Sequence, residues 1–213
     1  MIDPVVLLTF VPAALALNLT PGADMMFCLG QGLRAGARPA VAASAGISAG
    51  SLVHVTAAGL GLGAVVAAVP WVFDVIRWVG VAYLLWLAVG ALRMQPLTAN
   101  TTTTATTAAQ PKPALRAFWE GFMINLTNPK VILFVLAFVP QFVDPAQGVL
   151  GQFLIFGMIL AIGGFFINGG IGVFAGGLGR RVTGSPRFAR WLGYTSAAIF
   201  AGLAARLAMI ERV

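Results

Sequence analysis

The stretch Asn18-Leu19-Thr20-Pro21-Gly22-Ala23-Asp24 interrupts an apolar run that extends over residues 5–29. Proline removes a backbone donor and clashes with the preceding turn, glycine is the weakest ordinary helix former, and a carboxylate is costly inside a hydrophobic span. The interruption recurs. Asn125-Leu126-Thr127-Asn128-Pro129-Lys130 lies in a second apolar run, residues 115–142, where the charge left inside is basic. We expect both segments to break helices, to face each other near the middle of a bilayer, and to be held there by the other helices.

The surroundings support that class. Of 213 residues, 59% are hydrophobic and 9% charged, and the mean hydropathy is +0.93. Soluble domains carry roughly a quarter charged residues, so this is an integral membrane chain. The net charge of +7 is dispersed between apolar spans and makes no phosphate-binding face, which argues against nucleic acid as a partner. The single cysteine, Cys28, permits no internal disulfide and no thiolate metal cluster, and reads as a small buried apolar residue. Ala14-Leu15-Ala16 has the look of a signal-peptidase site, but residues 1–4 contain no Lys or Arg and the apolar run continues past it, so a retained span is expected.

A spanning helix needs about 20 apolar residues, and six are expected: 5–33, 39–69, 75–92, 115–142, 149–178 and 188–209. Basic residues mark one side. Arg34 and Arg38 fall in the first connection, Arg93, Lys112 and Arg116 flank the third, and Arg180, Arg181, Arg187 and Arg190 crowd the fifth. The positive-inside rule places these loops in the cytoplasm and both termini outside; Arg206 and Arg212 count against it, partly balanced by Glu211.

The expected fold is therefore all-α, with six transmembrane helices arranged as two three-helix repeats, residues 1–93 and 115–213. An odd number of spans per half makes the repeats inverted, with broken first and fourth helices in matching positions, the pattern that points to a transport site at the midplane. Between them, residues 94–114 form a Thr- and Pro-rich connector, expected to be flexible, cytoplasmic and without chemistry.

Small residues recur every fourth position at Ala42, Gly46 and Gly50, and at Gly164, Asn168, Gly172 and Gly176, two stripes along which helix backbones can approach closely. His54 extends the first stripe. A lone intramembrane histidine is first a hydrogen-bonded filler and second a proton carrier, and Asn168 is read in the same way, as filler first and functional group second.

The breaks have a chemistry of their own. Thr20 before Pro21 and Asn128 before Pro129 both have the order of an N-cap followed by proline at the first helical position, and a restarted helix exposes free N–H groups and partial positive charge. Two such starts form an anion-favouring pocket. Asp24 suits a first turn. Lys130 is opposed there and needs a partner: either Asp24, or the carboxylate of a bound amino acid whose ammonium Asp24 accepts. Asp24 is alternatively a proton carrier, since low dielectric shifts carboxylate titration. A purely structural ion pair is the plain reading. Glu120 is expected to pair with Arg116, with an inner-gate role as the alternative.

The motifs resemble those of the lysine exporter (LysE/RhtB) family of amino-acid efflux proteins, over nearly the whole chain. The likeness rests on residues 20–24, Gly32-Leu33-Arg34-Ala35-Gly36, Gly46 with Gly50, residues 80–87, Phe118-Trp119-Glu120-Gly121-Phe122, residues 125–130 and Phe138-Val139-Pro140-Gln141-Phe142. Ala23 departs from it, standing where members commonly carry a second proline, and the threonine-rich connector is peculiar to this chain. The resemblance implies export of amino acids or related metabolites across the bacterial inner membrane, driven by a proton or ion gradient, with six spans; no enzymatic activity and no cofactor are expected. The expected substrate site comprises Asn18, Thr20, Pro21, Gly22, Asp24, Asn125, Asn128, Pro129 and Lys130, with Asp24 and His54 as candidate proton-coupling groups. The partners are a small-molecule substrate and the lipid bilayer; self-association into a homo-oligomer is left open. The rival is a divalent-cation (cadmium-type) exporter, for which only Asp24, His54 and Cys28 are candidate ligands and no metal site is assigned. An intramembrane enzyme would need a nucleophile with a base or a metal motif, and Ser44, Ser48 and Ser51 share the helix of His54 without triad logic. A scaffold without transport leaves the intramembrane charges unexplained.

Overall fold

The computed structural model describes residues 2–68, 71–93, 113–144, 146–175 and 185–209. Among these residues there are eight α-helices and no strand: α1 (Pro4–Leu19), α2 (Ala23–Ala35), α3 (Ala37–Ala68), α4 (Trp71–Leu92), α5 (Ala114–Leu126), α6 (Pro129–Ala137), α7 (Val149–Val173) and α8 (Pro186–Ala208). A short 3-10 turn, Val139–Phe142, continues α6. The expected connector 94–114 lies outside the described residues except for its last two, as do Gly176, Arg180, Arg181, Glu211 and Arg212 of the stripe and charge arguments.

Both expected breaks are present. The axes of α1 and α2 bend by 53° across residues 20–22, and those of α5 and α6 by 54° across 127–128. Among the described residues two helices, Ala37–Gly61 and Val149–Val173, are individually long and apolar enough to cross a membrane, and four crossings result if each bent pair counts as one. Six spans were expected. In the third position the described residues contribute a shorter apolar helix, Arg77–Leu92, within α4, and α8 occupies the sixth position.

Long α3 is the hub, packed between α5 and α7. The stripes make this possible. A Cβ on Gly46 would overlap the Phe118 carbonyl, one on Gly121 the Ala43 carbonyl, and one on Gly32 the Gly172 carbonyl, so these helices touch backbone to backbone. Gly36 closes α2 at φ 85°, a left-handed conformation that lets the chain turn at once into α3.

A second packing unit is aromatic. Fully buried Phe10 of α1 sits 4.6 Å from Phe156 of α7 and 5.3 Å from Phe142, ring centre to ring centre, with Phe134 and Phe138 of the α6 segment completing the cluster. Such pairs prefer tilted and edge-on geometries. The cluster ties α1 to α6, and so brings the two breaks to one place.

Candidate functional site at the crossing of two broken helices

The first break owes its shape to Pro21. In a continuous helix the Leu17 carbonyl would accept from the N–H of residue 21, which proline lacks. The carbonyl is instead taken by Lys130, whose Nζ donates to Leu17 O at 2.9 Å and to Thr20 O at 2.8 Å. An ammonium at the carbonyl end of α1 is also where the helix dipole favours a cation. Thus Lys130, disfavoured at the start of its own helix, is satisfied by the end of another.

Thr20 does not begin the second half-helix as expected. Its extended backbone caps the C-terminus of α1 and its hydroxyl donates to Ala16 O at 2.7 Å; the N-cap of α2 is Gly22, which offers no side-chain bond. Pro21 lies between two helix ends, so its missing donor terminates α1 rather than opening α2. The second break follows the expected design: Asn128 is the N-cap, Pro129 occupies the first position, and the Lys130 N–H donates to Asn128 Oδ1 at 3.0 Å. Tyr83 of α4 donates its hydroxyl to Lys130 O at 2.9 Å and steadies this start.

Asp24, in the first turn of α2, is 7% exposed. Its Oδ2 accepts from Asn125 Nδ2 at 2.9 Å, and its Oδ1 has no hydrogen-bond partner. Asn125 is wholly buried at the end of α5 and is contacted three ways: by Asp24, by the Ser51 hydroxyl donating to its Oδ1 at 3.3 Å, and by His54 Nε2 at 3.2 Å from its backbone oxygen. That carbonyl has no hydrogen to give, so His54 is the donor there, through a protonated Nε2. Gly50 leaves the room: a Cβ there would meet Asn125 Oδ1 at 2.8 Å.

Asp24 and Lys130 make no ion pair within 4.0 Å; among the described residues such pairs include Arg116 with Glu120 at 3.0 Å, as expected, and Arg77 with Asp74 at 3.8 Å. Both charges nevertheless line one cavity of about 20 Å³, together with Asn18, Ser48, Ser51 and Asn168. This volume accommodates one water-sized group. Asn18 donates from Nδ2 to Leu160 O at 3.1 Å, in space left by Gly163 and Gly164.

Of the expected site residues, Asn18, Asp24 and Lys130 line the cavity, Thr20, Gly22, Asn125 and Asn128 bond or touch these, and Pro21 and Pro129 shape the breaks. His54 stands outside, on the wall of an apolar groove of about 360 Å³ between α3 and α6, reaching the cluster only through Asn125. Sequence reasoning missed Ser48 and Ser51 as lining residues, and singled out Asn168 without placing it in the site. The available signal was the spacing of Ser44, Ser48 and Ser51, which puts three hydroxyls on one face of an apolar helix.

The fold and site define a helical membrane protein with two kinked helices sharing a charged, buried crossing. The chain belongs to the LysE type translocator family, whose model matches residues 15–210. It is 35% identical over 176 residues to an uncharacterized membrane protein of Vibrio cholerae, covering 82% of this chain and 83% of the relative. It is 35% identical over 148 residues to a homoserine/homoserine lactone efflux protein of Salmonella typhimurium (67% of this chain, 66% of the relative). It is 29% identical over 205 residues to a leucine efflux protein of Klebsiella pneumoniae (96% and 95%). No solved structure matches the chain.

Proposed function

We propose that this protein is a secondary active exporter of amino acids or related small metabolites across the bacterial inner membrane, coupled to the proton gradient. The observation that carries the reading is the meeting of the two breaks, which puts a buried carboxylate, a buried ammonium and the amide of Asn125 in one cluster. Burying such groups is costly and marks a pathway more often than a scaffold. Relatives named for leucine and for homoserine efflux support the substrate class.

In this reading Asn18, Thr20, Pro21, Gly22, Asp24, Asn125, Asn128, Pro129 and Lys130 form the substrate site. Asp24 receives the substrate's ammonium and, between transport events, a proton; His54 is the second coupling group. A cavity of about 20 Å³ holds no amino acid, so the conformation described is a closed one that opens for cargo. The near-equal bends of 53° and 54° in the first helices of residues 1–93 and 115–213 support two inverted repeats of three spans, joined through 94–114, with both termini outside. The divalent-cation alternative is not favoured: among the described residues no three His, Cys, Asp or Glu side chains gather, and the Salmonella and Klebsiella relatives are named for efflux of homoserine or its lactone and of leucine.

Counterflow in proteoliposomes tests the assignment, with lysine, arginine, threonine, homoserine, leucine and cysteine as cargo and cadmium as the rival. Exchange of at least one amino acid, abolished by Asp24→Asn and by Lys130→Met in protein that still inserts, is the expected result. Wild-type exchange in both variants, or cadmium flux alone, overturns it. Cysteine-accessibility labelling from either side of the membrane checks the orientation.

A further inference from the structure

Resting on the exporter reading, we infer that the cavity recognises its cargo through a primary ammonium group, with Asn168 as a specificity-determining residue beside Asp24, and that a free carboxylate on the cargo is dispensable.

Most donors around the cavity are already committed, the Asn168 Nδ2 group, one Asn18 N–H and one Lys130 N–H excepted. The Ser48 hydroxyl donates to Ala161 O at 2.9 Å, Ser51 to Ile47 O or Asn125 Oδ1, Asn18 Nδ2 to Leu160 O, and two of the three Lys130 N–H bonds to Leu17 and Thr20 carbonyls. Acceptors remain. Asp24 Oδ1 and Asn168 Oδ1 are both buried without any partner, on residues 7% and 3% exposed that line the cavity from α2 and α7. Ser48 and Ser51, their hydrogens given away, present lone pairs as well.

The acceptors orphaned within the cavity call for a ligand that brings hydrogens, while the orphaned donor of the wider site, Asn128 Nδ2, lies outside the lining; buried polar atoms are rarely left unmatched. A primary ammonium has three donors and no acceptor, carries the charge that complements Asp24, and is close in size to the water-sized space present. A carboxylate has the opposite inventory. Its natural partner, Lys130, is occupied in sealing the end of α1, and releasing it would reopen the Leu17 carbonyl that Pro21 orphans.

The test is thermal stabilisation of purified protein in detergent at mildly acid pH, using two matched series. Leucine, leucinamide, N-acetylleucine and 2-hydroxy-4-methylpentanoate form one; homoserine, homoserine lactone and 2,4-dihydroxybutanoate the other. We expect the amines to stabilise with or without a carboxylate, and the compounds lacking an ammonium to do nothing. Asn168→Leu should weaken amine binding about tenfold or more, and Asn168→Asp, which keeps the acceptor, should restore it. Equal shifts from the hydroxy acids, or unchanged amine binding in Asn168→Leu, overturn the inference and leave the exporter reading standing. Stabilisation by sodium in place of choline, with none by the amines, assigns the cavity to an inorganic cation and likewise overturns the inference alone. No shift in any arm overturns the inference, while the exporter reading is decided by the counterflow assay.

Discussion

Asn125 and Asp24, 101 positions apart in sequence, are joined by a 2.9 Å bond from the amide nitrogen of one to the carboxylate of the other, across the two helix breaks. The bond is deep inside the protein, where a hydrogen bond to a charged group is stronger than at a surface. The Asn125 Oδ1 accepts from Ser51 and its backbone oxygen from His54, so α2, α3 and α5 meet at a single residue.

Asn125→Leu should therefore be costly out of proportion to its size. It strands one oxygen of Asp24 beside another that already lacks a partner, for a loss of about 1.5–3 kcal/mol. Unfolding in mild detergent measures this, and a double variant with Asp24→Asn should recover part of it. Additive losses would mean that the two residues do not act on each other.

Lys130 and Pro21 should be coupled although they do not bond. Pro21→Ala restores the N–H that the Leu17 carbonyl lacks, so removing the lysine should then matter less. We expect Lys130→Met to cost on the order of 1 kcal/mol less in the Pro21→Ala background than in the parent, read from a double-mutant cycle of unfolding midpoints. Transport should be lost in either background.

Gly→Ala substitutions should change sign with position. At Gly90, with nothing within 4 Å of the added carbon, alanine stabilises by up to about 1 kcal/mol through helix propensity. At Gly46 or Gly121 the same carbon overlaps an opposing carbonyl, and the helices must separate, at a cost of about 1–3 kcal/mol. Melting temperatures of the three single variants decide it; a gain at all three would refute the backbone contacts.

The Asp144 carboxylate accepts from the Ala146 N–H at 2.9 Å and from Gln147 Nε2 at 2.7 Å. These bonds, the backbone one first, hold it below the ordinary carboxylate range. With the folded value lowered, the turn's stabilisation is present above the ordinary range and is lost only as pH falls through the lowered value. The Ala146 amide resonance should stay constant from neutral to mildly acid pH and move below that, with Asp144→Asn abolishing the titration.

What could be read beforehand was whatever violated its surroundings. Pro21, Pro129 and the two Asn-Leu-Thr segments stood out from apolar runs, and both turned out to be breaks with closely similar bends. Asn128 was legible as an N-cap because cap and proline are adjacent in sequence. Thr20 was not, since the same order of residues also suits the end of a helix, and only the conformation of Gly22 settles which helix it belongs to. The partners of Lys130 were out of reach for another reason: they are backbone carbonyls, which every residue has, so no residue type announces them. As lining residues, Asn168 and Ser48 were hidden within a packing stripe and a serine repeat, patterns with an adequate explanation of their own.

The glycine contacts along α3 bear on where movement can occur. Carbonyl groups pressed against a neighbouring helix with no side chain between them leave no lubricating layer, so α3 and α5 shift as one block, and α2 is locked to α7 at Gly32 in the same way. On the exporter reading proposed above, gating then falls to the short pieces α1 and α6, hinged at the two kinks. A pair of spectroscopic labels bridging α1 and α3 would report the cycle, while a pair bridging α3 and α5 would stay silent throughout it.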